Sequence, residues 1–167
     1  RDIAGVDAAD DLAVRAARAL QQDTRCTMGV DIAIDKRIPQ GGGLGGGSSD
    51  AASALIALDA LWGTRMPRAR LAAIGATLGA DVPFFLGDGP ALARGIGEQL
   101  TPVTLPPMWI ALIVPARHVP TAAIFAAAEL TRNTASAKIN VFSESYGRND
   151  LEGVVAARYP DVAEALA

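Results

Sequence analysis

Residues 39–52 read Pro39-Gln40-Gly41-Gly42-Gly43-Leu44-Gly45-Gly46-Gly47-Ser48-Ser49-Asp50-Ala51-Ala52, with six glycines in the seven positions from 41 to 47. Glycine has no Cβ, so its backbone reaches positive φ and lets a ligand approach the amides. A helix is predicted to begin near Ser48, because Ala51, Leu55, Leu58 and Trp62 recur along one face at helical spacing. The free N–H groups and positive dipole end of a helix start attract anions. Loop and helix together therefore predict a phosphate site. Ser48 and Ser49 are placed to cap the helix, to bond a phosphate oxygen or to ligate a magnesium ion, Ser48 being the candidate metal ligand.

Other glycine loops fit less well. Gly41, Gly43 and Gly46 match a dinucleotide fingerprint, but there the preceding strand runs straight into the loop, and here Lys36-Arg37-Ile38-Pro39 intervenes. A P-loop needs Lys before the Ser at the helix start, and residue 47 is Gly. Gly-Ser tracts also serve as flexible linkers, but those join domains, whereas this one joins adjacent elements. It reads as a lysine-free ligand loop.

Upstream of it, Met28, Val30, Ile32 and Ile34 alternate with small or polar residues and predict a half-buried strand. Asp10 to Leu20 has the period of a helix. Downstream, Arg68 to Leu78 predicts a helix ended by Gly79, followed by a short apolar segment, Val82-Pro83-Phe84-Phe85-Leu86, behind Asp81. Ala91–Arg94 and Gln99–Val103 read as strands around the turn Gly95-Ile96-Gly97-Glu98. Pro102, Pro106 and Pro107 mark a domain boundary. Beyond it come an apolar strand from Trp109 to Val114 and a helix from Thr121, as its N-cap, to Ala128. A capping box of Asn149 and Glu152 then opens a helix to Arg158, and Pro160 opens the next. Hairpin and helices together give an α+β class.

Composition limits the function. The 167 residues are half hydrophobic, enough for a core in one ordinary domain or two small ones. Fifteen basic against eighteen acidic residues, a net charge of −3 and no basic run disfavour a nucleic-acid partner. Cys26 alone forms no internal disulfide, and His118 alone builds no histidine metal cluster. The apolar run Met108–Ala116 is about half of the ~20 residues a membrane span needs. The chain reads as cytoplasmic, with no membrane partner. Both ends fall inside helix-forming sequence, so it also reads as an interior stretch of a longer protein.

The loop at Pro39–Ala52 resembles the nucleotide loop of the GHMP kinases. Leu78-Gly79-Ala80-Asp81-Val82-Pro83-Phe84-Phe85, Gly95-Ile96-Gly97-Glu98, Pro120-Thr121, Thr131-Arg132-Asn133-Thr134 and Asn149-Asp150-Leu151-Glu152 extend the resemblance along nearly the whole chain. They point to the branch of that family acting on 4-diphosphocytidyl-2-C-methyl-D-erythritol.

The resemblance implies a two-lobed kinase. Residues 1–105 would form a nucleotide lobe similar to the second domain of a ribosomal protein, incomplete at its N-terminus. Residues 106–167 would start a ferredoxin-like lobe. The implied reaction passes the γ-phosphoryl of ATP, with Mg2+, to the substrate's 2-hydroxyl in the methylerythritol phosphate route to isoprenoids. Carried over residue by residue, the resemblance lays ATP against Pro39, Gln40, Gly41, Gly42, Gly43, Leu44, Gly45, Gly46, Gly47, Ser48 and Ser49. It puts Lys36 near the adenine side and Thr121 near the substrate. The family's N-terminal Lys strand, its Tyr-His pair and its Gly-Thr-Gly loop have no counterpart in the chain. Ala137-Lys138-Ile139-Asn140 echoes the Lys motif, but far downstream of the glycine loop. Asp11 stands where the family commonly has an Asn facing the adenine.

Phosphoryl transfer needs charge neutralisation, positioning and often a base for the accepting hydroxyl. Asp81 is the candidate base, its apolar neighbours in sequence predicting partial desolvation. An Asp before a Pro-containing helical turn is also a common N-cap, and the two roles are compatible. Two other functions stay open on the sequence: a module that binds ATP without turnover, and a kinase of the homoserine or mevalonate type.

Overall fold

Asp11 starts the first helix, its carboxylate accepting hydrogen bonds from the N–H groups of Ala13 (2.8 Å) and Val14 (3.3 Å). The structure is a computed structural model and describes residues 6–38, 43–115, 117, 119–134 and 149–167. It divides into two compact units, Arg1–Thr104 and Leu105–Ala167. The elements of the first are α1 (Leu12–Thr24), α2 (Gly46–Trp62), α3 (Arg68–Leu78), α4 (Val82–Phe85), β1 (Ala91–Arg94) and β2 (Gln99–Pro102). Those of the second are α5 (Thr121–Phe125), α6 (Glu152–Arg158) and α7 (Pro160–Ala165).

The core of the first unit is built on α2. Its buried face, Ala51, Ala52, Leu55, Leu58 and Trp62, includes all four residues of the predicted stripe. Alanines on both sides let α1 approach closely through Ala16, Ala17 and Leu20, and Leu71 and Ile74 of α3 close the same cluster. Val82 and Leu86 seat α4 on it.

Gly75 makes that seat possible. A Cβ there would lie 2.8 Å from Val82 Cγ1 and 3.2 Å from Leu86 Cδ1, both on buried side chains. Gly75→Ala gains up to about 1 kcal/mol of helix propensity and loses about 1–3 kcal/mol to overpacking. We expect a net loss of about 1 kcal/mol, read as a lower urea midpoint with unchanged slope; a raised midpoint would show that α4 yields freely.

β1 and β2 form an antiparallel hairpin in the register Ala91↔Pro102 through Arg94↔Gln99. Among the described residues this is the sheet, so two predicted strands are corrected. Residues 27–37 pair with no strand, and Met28, Val30 and Ile32 are exposed. Trp109–Val114 is likewise unpaired and exposed, Trp109 fully so. Period-two alternation or an apolar run encodes a strand only where a partner completes the ladder; the described partners here are β1 and β2 alone.

In the second unit, Ile124, Ala127 and Val154 form the core. α5 ends at Phe125 rather than continuing to Ala128. The Arg132 guanidinium donates to the carbonyls of Phe125, Ala127 and Leu130, satisfying acceptors left free at and beyond the end of α5. Pro120, not Thr121, is the N-cap. The predicted capping box is also replaced: Asn149 Oδ1 accepts from Leu151 N–H at 3.0 Å, and Leu151 precedes α6 without a side-chain cap. His118 and residues 137–140 lie outside the described residues. No helix among the described residues is long and apolar enough to cross a membrane.

Candidate active site

The glycine tract turns into α2 earlier than predicted. Gly45 is the N-cap, at φ +66°, and α2 begins at Gly46 rather than near Ser48. That φ lies in the left-handed region, where a glycine pays no Cβ penalty. The first intrahelical bond runs from Ser49 N–H to the Gly45 carbonyl at 2.9 Å. The N–H groups of Gly46, Gly47 and Ser48 therefore have no intrahelical acceptor, and no side chain caps the helix. Ser48 and Ser49 sit inside the first turn instead of capping it, so their hydroxyls remain available to a ligand. Three free donors at the positive end of a 17-residue helix make an anion cradle.

A cleft of about 280 Å³ opens beside this cradle, lined by Gly43, Leu44, Gly45, Asp81, Phe84 and Phe85, with Ala93 and Gly97 from the hairpin. The cleft thus joins the glycine loop to Asp81. The Gly79–Asp81 segment lies close to the loop: a Cβ on Gly79 would be 3.9 Å from Ser48 Oγ. Phe85 roofs the N-cap, with its ring 2.8 Å from where a Cβ on Gly45 would stand.

Asp81 precedes α4 but makes no side-chain capping bond. It is exposed, which corrects the predicted desolvation. Val82 and Pro83 are buried and carry the apolar character of the segment into the core, leaving the carboxylate on the cleft side. With no capping bond and no burial, the carboxylate is uncommitted and borders the cleft. Lys36 lies against the start of α2, and its Nζ donates to Asp50 Oδ2, one turn along that helix, at 2.5 Å. Pro39, Gln40, Gly41 and Gly42 lie outside the described residues, and Thr121 is exposed in the second unit. Asp11 is committed to capping α1, where its Oδ1 accepts from the N–H groups of Ala13 and Val14.

The hairpin's contribution was not foreseen from sequence. Its turn is held by Glu98, whose Oε2 accepts from Ile96 N–H at 2.8 Å while the carboxylate folds over Gly95. Gly95 takes φ +70°, a conformation a side chain would strain. A Cβ on Gly97 would lie 3.4 Å from the Ala80 carbonyl, so the turn backs the Asp81 segment. The backbone N–H groups of Glu98 itself and of Ile96 hold the Glu98 carboxyl below its usual 4.5. The folded chain keeps this group charged to lower pH than the unfolded chain does. Its contribution to the turn is therefore complete above about pH 4.5 and is lost as pH falls through the lower folded value. We expect the Ile96 amide resonance to titrate with a midpoint below 4.5; a midpoint at or above it would remove the hydrogen bond.

Residues 11–89 match the GHMP kinases N terminal domain. These residues form a GHMP kinase N-terminal domain. The chain is 57% identical over 99% of its length to the 4-diphosphocytidyl-2-C-methyl-D-erythritol kinase of Ralstonia pickettii (strain 12J), covering 59% of that protein. With the kinase of the same name from Aromatoleum aromaticum it is 53% identical, again over 99% of the chain and 58% of the relative. A crystal structure of 4-(cytidine 5'-diphospho)-2C-methyl-D-erythritol kinase superposes with a TM-score of 0.78 at 37% identity, covering 96% of this chain and 62% of that one. The α+β class is that of this kinase fold. The chain thus spans about three fifths of the length of these relatives.

Proposed function

We propose that the chain is the ATP-binding and acceptor-activating part of a kinase. The reaction transfers the γ-phosphoryl of ATP to the 2-hydroxyl of 4-diphosphocytidyl-2-C-methyl-D-erythritol, a step toward isoprenoids in the cytoplasm. The observation that carries this reading is the cleft uniting Gly43 to Gly45, at the open end of α2, with the exposed carboxylate of Asp81. The names of relatives above 50% identity supply the substrate.

In this reading the N–H groups of Gly46, Gly47 and Ser48 hold phosphate oxygens, and the helix dipole offsets their charge. Asp81 accepts the proton of the acceptor hydroxyl as its oxygen bonds to the γ-phosphorus and the bond to the β–γ bridging oxygen breaks. ADP leaves, and Asp81 returns the proton to solvent. The Ser48 hydroxyl, with the nucleotide's own oxygens, would hold Mg2+, which when bound neutralises phosphate charge. Among the described residues there is no group of three or more His, Cys, Asp or Glu that could hold a metal ion. The first unit is the nucleotide lobe, the second starts the substrate lobe, and Thr121 lies on the substrate side. Incubating the full-length protein with ATP and the diphosphocytidyl substrate tests the reading: one equivalent of ADP should form per 2-phosphate. ATP binding without turnover would favour a non-catalytic module, and turnover of homoserine or mevalonate instead would move the chain to another branch.

A further inference from the structure

The two flanks of the glycine loop meet at a side-chain pair that the reading above does not use. Entering the loop, Ile38 and Lys36 lie on the first residue of α2: a Cβ on Gly46 would be 3.1 Å from Ile38 Cγ2 and 3.4 Å from Lys36 Nζ. Leaving the loop, Asp50 one turn further along α2 takes the Lys36 ammonium at 2.5 Å. Both side chains are part-buried, Lys36 at 21% and Asp50 at 36% exposure, so the pair is screened less than a surface one.

An ammonium beside a helix N-terminus is in an unfavourable place. The dipole there repels cations and attracts anions. Asp50 is the group that offsets this repulsion and fixes Lys36 beside the three free N–H groups. We propose that Asp50 is a positioning residue for nucleotide binding, acting through Lys36. It clasps residues 36–38 to the start of α2 and keeps a positive charge at the edge of the anion cradle. This rests on the ATP reading, since it is the nucleotide's charge that Lys36 would face.

The test uses the full-length protein and its variants Asp50→Asn, Lys36→Met, the double variant and Asp50→Glu. Asp50→Asn should raise the KM for ATP about three- to tenfold while kcat stays within about twofold. Such a factor lies within the range of a single charge interaction. Lys36→Met should do the same, and the double variant should be no worse than the worse single, because both remove one clasp. Asp50→Glu, which keeps the charge, should recover most of the loss, and raising the salt should narrow the gap between wild type and Asp50→Asn. Losses that multiply in the double variant would overturn the proposal, as would an Asp50→Asn protein of lowered thermal stability but unchanged KM. If wild type itself fails to bind ATP, the nucleotide reading falls and the clasp with it. If wild type binds and Asp50→Asn binds equally well, only the clasp falls.

Discussion

Asp81→Asn in the full-length protein is expected to lower kcat by about 10²–10⁴-fold while ATP affinity and thermal stability stay near wild type. The substitution keeps size and polarity and removes the ability to take a proton. Its structural cost should be small, because the Asp81 side chain makes no capping bond that Asn would have to replace. Even a true N-cap would tolerate the change, Asn being about as good a cap as Asp. Exposure makes the expectation sharper. A group open to solvent and lining the cleft has no packing role to lose. Collapse of turnover with an unshifted melting curve assigns Asp81 to the chemistry. Near-normal turnover would leave the reaction resting on positioning and charge neutralisation alone.

Much of the first unit is legible in the sequence because its signals are local. The α2 stripe of Ala51, Leu55, Leu58 and Trp62 needs only a 3.6-residue period, and all four residues are buried. The helix Arg68–Leu78 ends at Gly79 as its terminal glycine indicates. The hairpin follows from four turn residues, two of them glycine, between two short segments. Local period fails where a distant partner decides the outcome. Met28, Val30 and Ile32 alternate well, yet remain exposed and unpaired. Trp109 to Val114 shows the same failure for a continuous apolar run.

The site shows a similar division. Glycines and a following helix announce an anion cradle, but the onset of α2 depends on the φ of Gly45, and residue types do not distinguish it from a start two or three positions later. Asp81 is legible as a carboxylate next to a helical turn. Its exposure is not, since neighbours in sequence such as Val82 and Pro83 point their bulk elsewhere. The approach of Gly97 to Ala80 and the Lys36–Asp50 pair join residues 14 or more positions apart, and no periodicity encodes them.

Gly45→Val should cost at least tenfold in ATP affinity, roughly 1.4 kcal/mol or more, and should also lower stability. Two separate physical effects act at this residue. Its φ of +66° is one that a β-branched side chain adopts only with strain, of order 1–3 kcal/mol. Its Cβ would also stand 2.8 Å from the Phe85 ring, closer than any carbon contact permits. Relief of either one moves the free N–H groups of Gly46 to Ser48 away from the phosphates they would hold. Gly45→Ala distinguishes the two effects, because it keeps the ring contact and softens the backbone strain. Adding Phe85→Ala to Gly45→Ala removes the contact and leaves the backbone term. Recovery of ATP affinity in that double variant, measured by calorimetry against Phe85→Ala alone, would show that the aromatic roof sets the tolerance of the N-cap. No recovery would assign the loss to φ. Unchanged affinity in Gly45→Val, with the helical circular dichroism intact, would remove the glycine loop from nucleotide binding altogether.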